Sequence, residues 1–321
     1  MIYNRRRFRA VTIGTILAIG AIAAQSPQTP VTNQDEKATI FRSDTRLVVL
    51  HATVVDKNGR FVTGLPREAF SKTGRSRRSG FSGMKMCPFR LDWLSTTAAV
   101  CRQAGESGGR RAGAGEGSNP QDEVFVVNFN DEAFNDLPQG KDFTNNIKGM
   151  EQALTRIDSR GGTAMRDAIR MSIDHVKGKA RKDKKVLVTV TDGNDNSSVV
   201  NLESLVRSAQ QSEVLVYAVG ILSEEKRREA NRAKKALETV TQATGGQAFF
   251  PKELSEVDRI AHQLARDIRN QYTIVYSPSN AAMDRTFRQI KVNVKAQGNP
   301  VARTRSGYYA TPDANRQLAS N

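Results

Sequence analysis

From residue 122 onward, short apolar runs alternate with stretches whose apolar residues recur at helical spacing. Residues 124–127 and 186–190 form nearly continuous apolar runs, as strands buried on both faces do. Apolar residues then recur every three or four positions, most regularly at 257–268, which is typical of amphipathic helices. This alternation predicts an α/β fold, with a doubly wound, mostly parallel sheet covered by helices on both faces.

The two ends of the chain follow a different pattern, because their apolar and polar residues alternate one by one. Residues 46–56 alternate and lead into an Asp-Lys-Asn-Gly turn, which predicts a β-hairpin region at 39–70. Three further alternating segments predict strands within 271–310, before a tail at 311–321. We expect the terminal strands to pair into a small flanking β-subdomain, with the α/β domain at 118–270 between them.

The first residues have the order of a secretory signal peptide. Four arginines, at positions 5, 6, 7 and 9, precede an apolar run that ends in small residues, so 1–24 is the predicted signal. The Gln-, Pro- and Thr-rich residues 25–38 follow as a linker. We therefore expect a periplasmic or secreted protein, and the adjacent arginines also resemble a twin-arginine export signal. The alternative is an uncleaved N-terminal membrane anchor, and no other membrane contact is expected.

The charge distribution and the histidine content argue against two classes of function. The net charge of +16 comes largely from residues 1–24 and 71–117, and no basic stripe carries interleaved aromatic residues. Nucleic-acid binding is therefore not expected. Only three histidines occur, and none belongs to a recognisable Ser/His/Asp grouping. A hydrolase is thus disfavoured, and we expect a protein that is not an enzyme and has no small-molecule substrate.

Two loops fall where a parallel sheet places its ligands, at the carboxyl ends of strands. In Gly161-Gly162-Thr163 the glycines allow close backbone approach, and Thr163 offers a hydroxyl oxygen just before a helix. The alternative for Thr163 is a helix N-cap. Asp192 directly follows the buried 186–190 run, and carboxylate oxygens suit Mg²⁺ or another divalent cation. An Asn/Asp-rich turn is the alternative there.

Together, the Gly-Gly-Thr triplet at 161–163 and the Thr-Asp-Gly triplet at 191–193 resemble two of the three loops of a known metal site. This is the metal-ion-dependent adhesion site (MIDAS) of von Willebrand factor type A (VWA) domains, and the similarity covers 118–276. The flanking segments resemble a bacterial, acidobacterial-type VWA-related family. The resemblance implies that Thr163 and Asp192 contact the cation, Asp192 through water, and that an acidic group of a protein ligand completes the coordination shell.

The segment 71–117 departs from that family. The first metal loop, Asp-x-Ser-x-Ser after the central strand, is absent from the sequence. The segment has no regular period and contains Cys87, Cys101, Trp93 and nine of the 24 glycines. We therefore predict that 71–117 is irregular, that the sheet lacks its central strand, and that the cation is bound weakly or not at all.

Other reading frames of this segment can supply the missing parts. Codons for 84–101, started one nucleotide earlier, can spell a hydrophobic strand and then Asp-Asn-Ser-Gly-Ser-Met. Codons for 111–117, read one nucleotide later, can spell a fragment of helix. Three single-nucleotide losses, near Phe70, Cys101 and Gly117, account for both shifts of the reading frame and for the return to the original frame. The hypothesis is a frameshifted gene, and a degenerate, non-functional product is the alternative to an impaired binding module.

Overall fold

The computed structural model describes residues 47–72, 85–87, 96–103, 122–137, 140–155, 161–182, 184–192, 195–223 and 225–311. Its strands are β1 (Val48–Val55), β2 (Phe70–Lys72), β3 (Lys85–Cys87), β4 (Thr96–Gln103), β5 (Glu123–Phe129), β6 (Ala133–Asn135), β7 (Lys184–Thr191), β8 (Leu215–Gly220), β9 (Ala248–Phe249), β10 (Gln271–Tyr276), β11 (Phe287–Gln289), β12 (Val292–Val294), β13 (Val301–Arg303) and β14 (Gly307–Tyr309). Its helices are α1 (Ile147–Thr155), α2 (Met165–Lys179), α3 (Leu202–Ser212), α4 (Arg227–Thr244) and α5 (Glu256–Arg269). The predicted signal peptide and linker lie outside the described residues, as does the tail after residue 311.

The larger sheet has six strands in the order β6-β5-β4-β7-β8-β9, and only the edge strand β6 is antiparallel. Its side chains alternate between two layers of helices. Leu187 on β7 packs in the same core as α2, α3 and α4, whereas Val186 packs with Ile260 of α5. The predicted doubly wound α/β fold is confirmed.

The centre of this sheet is occupied by β4, which corrects two predictions. Ala98 pairs with Val124 of β5 on one side and with Val186 of β7 on the other. The prediction of a missing central strand is therefore wrong, and 71–117 is not irregular throughout, because β3 and β4 lie within it. The β-branched residues of β4 favour an extended backbone even where the apolar pattern is weak. Residues 104–117 lie outside the described part of the chain.

A second sheet confirms the flanking β-subdomain, because it joins strands from both ends of the chain. Its order is β13-β1-β10-β3, with Val48 of β1 opposite Tyr276 of β10. The predicted hairpin is smaller than expected, since Phe61 forms only an isolated bridge with Val55. The strands predicted at 287–294 and 301–309 each divide into two short strands. None of the described helices has both the length and the apolar composition that a membrane crossing requires.

A buried polar cluster ties the two sheets together at the amino end of β7. Asp267 of α5 is 2% exposed and accepts hydrogen bonds from the Thr53 hydroxyl (2.7 Å) and from Arg303. Nearby, Nζ of the buried Lys184 donates to the carbonyl oxygen of Ile268. Buried charges are tolerated only when they are paired and hydrogen-bonded, so each group here depends on its neighbours.

We predict that Asp267→Asn lowers the free energy of unfolding by about 3–5 kcal/mol, because it leaves buried cations without their anion. Urea unfolding monitored by circular dichroism measures this. The matched control is Asp174→Asn, which breaks only the exposed 2.8 Å pair with Arg170 and should cost less than about 0.5 kcal/mol. Equal losses in the two variants would contradict the role assigned to the cluster.

A second prediction concerns acid stability. Burial lowers the pKa of His51 to about 3, and the positive charges of Lys184 and Arg305 also lower it. In the unfolded chain this histidine takes up its proton near pH 6.5, so the unfolded state binds more protons between pH 6.5 and 3. Stability should therefore fall with decreasing pH, by up to about 1.4 kcal/mol per pH unit from this group.

Denaturant unfolding at a series of pH values tests the assignment. His51→Gln should make the dependence between pH 6.5 and 4 shallower, since glutamine takes up no proton. His262→Gln, on the exposed surface of α5, serves as the control and should leave the dependence unchanged. An unchanged slope in His51→Gln would refute the prediction.

Candidate metal-binding site

Three loops meet at the carboxyl edge of the larger sheet. The loop after β5 contains Asp131, whose Oδ1 accepts a hydrogen bond from Gly162 N at 2.6 Å. The loop after β7 contains Asn196, whose Oδ1 accepts from Thr163 N at 2.7 Å, while Asn196 N donates to Thr163 O at 3.1 Å. The structure therefore brings Thr163 against the same loop that begins at Asp192, as the sequence predicted.

The paired glycines are required by how closely these loops approach. Gly161 has φ +102°, in the left-handed region that favours glycine. A Cβ added at Gly162 would lie 2.0 Å from Ser197 Oγ and 2.8 Å from Asp131 Oδ1. Any larger residue at Gly162 would therefore push the three loops apart.

The interpretation of Thr163 as a helix N-cap is wrong. The N-cap of α2 is Ala164, which makes no side-chain capping bond. Amides of the first turn are instead bound from the loop after β7, with Arg166 N donating to Asp195 Oδ2 (2.7 Å) and Asp167 N to Ser198 Oγ (3.1 Å). Thr163 is 5% exposed, so it lies within the loop junction and not at a solvent-exposed helix start.

Two carboxylates fix the loop after β7 onto α2. Asp195 also forms an ion pair with Arg166, at 3.0 Å between Oδ1 and Nη2. In return, Asp167 accepts hydrogen bonds from the amides of Val199 (2.9 Å) and Val200 (2.8 Å). These roles were not predicted from the sequence. The acidic residue in the first turn of a predicted helix was an available signal for Asp167. Nothing local marked Asp131, which binds a loop 31 residues away.

Asp192 lies at the end of β7 in the position predicted for a metal ligand. The residue is exposed, and partial burial of its carboxyl group raises the pKa of Asp192. Its neighbour Thr191 is buried and accepts a hydrogen bond from Ile221 N at 2.8 Å, which aligns the ends of β7 and β8.

Among the described residues, the two predicted ligands do not by themselves make a complete metal site. Thr163 and Asp192 offer two oxygen-bearing side chains, whereas Mg²⁺ takes about six oxygen ligands, with water supplying several. The described part of the chain contains no group of three or more His, Cys, Asp or Glu side chains placed to hold a metal ion. The strand β4 ends at this edge in Arg102 and Gln103, neither of which carries a carboxylate.

Comparisons with known proteins find similarity to von Willebrand factor type A domains. The model of the von Willebrand factor type A domain matches residues 110–263. Mouse integrin alpha-11 is 30% identical over 115 residues, which are 35% of this chain and only 9% of that protein.

Two solved structures are similar at lower identity. A von Willebrand factor type A protein from Catenulispora acidiphila is 13% identical, with a TM-score of 0.44, and the match covers 69% of this chain and 68% of that one. Proximal thread matrix protein 1 from the mussel byssus, with a zinc-occupied MIDAS motif, is 12% identical with a TM-score of 0.41, covering 61% and 50%.

We predict that Gly162→Ala destabilises the protein by about 1–3 kcal/mol, because the new methyl group would overlap the oxygens of Ser197 and Asn196. Hydrogen exchange should also become faster at the amides of Thr163 and Asn196. The control is Gly178→Ala in α2, where a Cβ meets nothing within 4 Å and the helix should gain about 0.5 kcal/mol. If both variants gain stability, the loops do not pack as described.

Proposed function

We propose that this protein, whose residues 110–263 match the model of the von Willebrand factor type A domain, is an exported module that binds a protein ligand through a divalent cation. VWA domains typically bind proteins, with a metal ion at the MIDAS. The observation that carries the proposal is the hydrogen-bonded junction of Thr163 with the loop after β7, through Asn196. This junction joins the two loops that resemble the second and third loops of the MIDAS. The absence of any Ser/His/Asp grouping in the sequence supports a binding role and not an enzymatic one.

The chain's own groups have simple roles in this proposal. Thr163 contributes a hydroxyl oxygen from the buried junction, and Asp192 contributes a carboxylate, in direct or water-mediated contact with the cation. Asp131, Asp167 and Asp195 bind backbone amides, so they position the loops. A bound cation would supply an open coordination position for an acidic group of the ligand.

We further propose that the site is impaired in this chain, since the Asp-x-Ser-x-Ser loop is missing and two ligand side chains do not hold Mg²⁺ firmly. A second candidate is a degenerate product of a frameshifted gene. One observation favours it: β4 consists largely of residues whose codons, read one nucleotide earlier, can spell Asp-Asn-Ser-Gly-Ser-Met. The residues of β4 thus form a strand, whereas their codons can encode the first metal loop in the other reading frame.

Isothermal titration calorimetry with Mg²⁺ and with Mn²⁺ tests both the metal-dependent function and the impairment of the site. We expect no binding, or a dissociation constant weaker than about 1 mM, for this chain, because most of its first coordination shell is absent. A frame-restored chain should bind at least about tenfold more tightly and lose that affinity in Asp192→Ala, since it regains three oxygen ligands. Asp174→Ala, on the exposed surface of α2, is the control and should bind like its parent.

The possible outcomes separate the two proposals. Micromolar affinity in the unaltered chain that disappears in Asp192→Ala would show that the site is not impaired. A frame-restored chain that binds neither cation would refute the metal-dependent function itself.

A further inference from the structure

Helix α4 presents an unusually basic surface to solvent. Its buried residues Ala233, Leu237 and Val240 pack toward the larger sheet, and successive residues turn by about 100° around the helix axis. Over the first three turns, the exposed surface of α4 carries Arg227, Arg228, Asn231, Arg232, Lys234 and Lys235. We call this set the α4 basic face. The exposed Glu229 lies beside it and pairs with Lys226, and the next acidic residue of the helix is Glu238.

Most of these cations have no ion-pair partner among the described residues. Lys234 lies 5.3 Å from the ring centre of Phe250, and the adjoining Lys226 pairs with Glu229 at 3.8 Å. The other four, Arg227, Arg228, Arg232 and Lys235, form no ion pair with the described residues. By contrast, the exposed surfaces of α2 and α5 carry intrahelical ion pairs, at Arg170–Asp174 and Glu256–Arg259.

Folding gives no reason for this placement. Lys226, Arg227 and Arg228 lie at the first turn of α4, where the helix dipole disfavours positive charge. Repulsion between neighbouring cations on successive turns adds to that cost. An external anionic surface would offset both effects, and the face spans about 12 Å along the helix, from residue 227 to 235.

We propose that the α4 basic face docks on an anionic phospholipid membrane. Clusters of four or more Lys and Arg residues on one helix face bind anionic lipid headgroups by electrostatic attraction. The face carries no apolar or aromatic residue, so the contact is peripheral, without insertion into the bilayer. The missing aromatic residues also disfavour single-stranded nucleic acid, whose bases stack on such side chains. The predicted signal peptide would bring the chain to the cell envelope, where phospholipid is the extended anionic surface.

Vesicle co-sedimentation of the full chain tests the proposal, with chelator present so that the metal site plays no part. The vesicles are phosphatidylcholine alone or phosphatidylcholine mixed with phosphatidylglycerol. Each surface cation should contribute about fivefold to the partition coefficient on anionic vesicles. The fourfold variant R227Q/R228Q/R232Q/K235Q should therefore bind several hundredfold more weakly, and high salt should also weaken binding of the parent strongly.

Two matched controls isolate the face. Replacing Arg227, Arg228 and Arg232 by lysine keeps the charge and should keep the binding. Neutralising Lys177, Lys179, Arg181 and Lys182, near the far end of α2, removes the same net charge and should reduce binding far less. Because every variant retains the same N-terminal residues, their contribution cancels in the comparison.

Three results would overturn the proposal. The first is equal binding to vesicles with and without phosphatidylglycerol. The second is an equal loss in the α4 and α2 variants, which would reduce the effect to net charge. The third is stronger binding to duplex DNA than to anionic vesicles at the same salt concentration, with the α4 variant losing only the DNA binding.

Discussion

Backbone amides and carbonyls in the middle of a parallel sheet have no access to water, so a strand must fill every inner position. In this protein that requirement applies between β5 and β7, whose facing edges both need a partner. The partner is β4, which pairs with both neighbours along nearly its whole length. An unpaired inner edge would leave several buried polar groups, each costing about 1–3 kcal/mol, against a total stability of about 5–15 kcal/mol. The rest of the α/β unit depends on this strand.

Strand pairing does not depend on which side chains the strand carries, whereas metal binding does. Any extended segment supplies the amides and carbonyls that β5 and β7 need, so Thr96–Gln103 can do so with few large apolar residues. A cation, however, needs specific oxygen atoms at the end of the strand. The last two residues of β4 are Arg102 and Gln103. The sheet of a VWA domain can therefore form whichever side chains the end of its central strand carries.

This difference also explains how far the sequence predicted the structure. The buried runs of β5 and β7 and the stripe of α5 were predictable because each depends on local periodicity. The approach of the Thr163 loop to the loop after β7 was predictable because triplets of distinctive residues mark both loops. The central strand was missed because pairing on both sides, and not its own pattern, keeps it extended. Asp131 and the Thr53–Asp267 contact were missed because they join residues 31 and 214 positions apart. No local sequence pattern indicates a contact between residues so far apart in the chain.

The larger sheet also separates what stabilises the fold from what binds ligands. The cluster around Asp267 lies where β7 begins, at Lys184, while the junction of Thr163 with Asn196 lies beyond its last residue, Thr191. Seven steps along a strand correspond to about 23 Å, more than twice the distance over which salt screens exposed charges. A change in the buried cluster should therefore alter unfolding without reaching the junction electrostatically. The charges of the first turns of α4 lie at the carboxyl edge, because that helix begins seven residues after β8 ends at Gly220. Four cations of α4 without an ion pair among the described residues thus lie at the edge where a ligand is proposed, whereas Asp267 and Arg303 are paired where the two sheets meet.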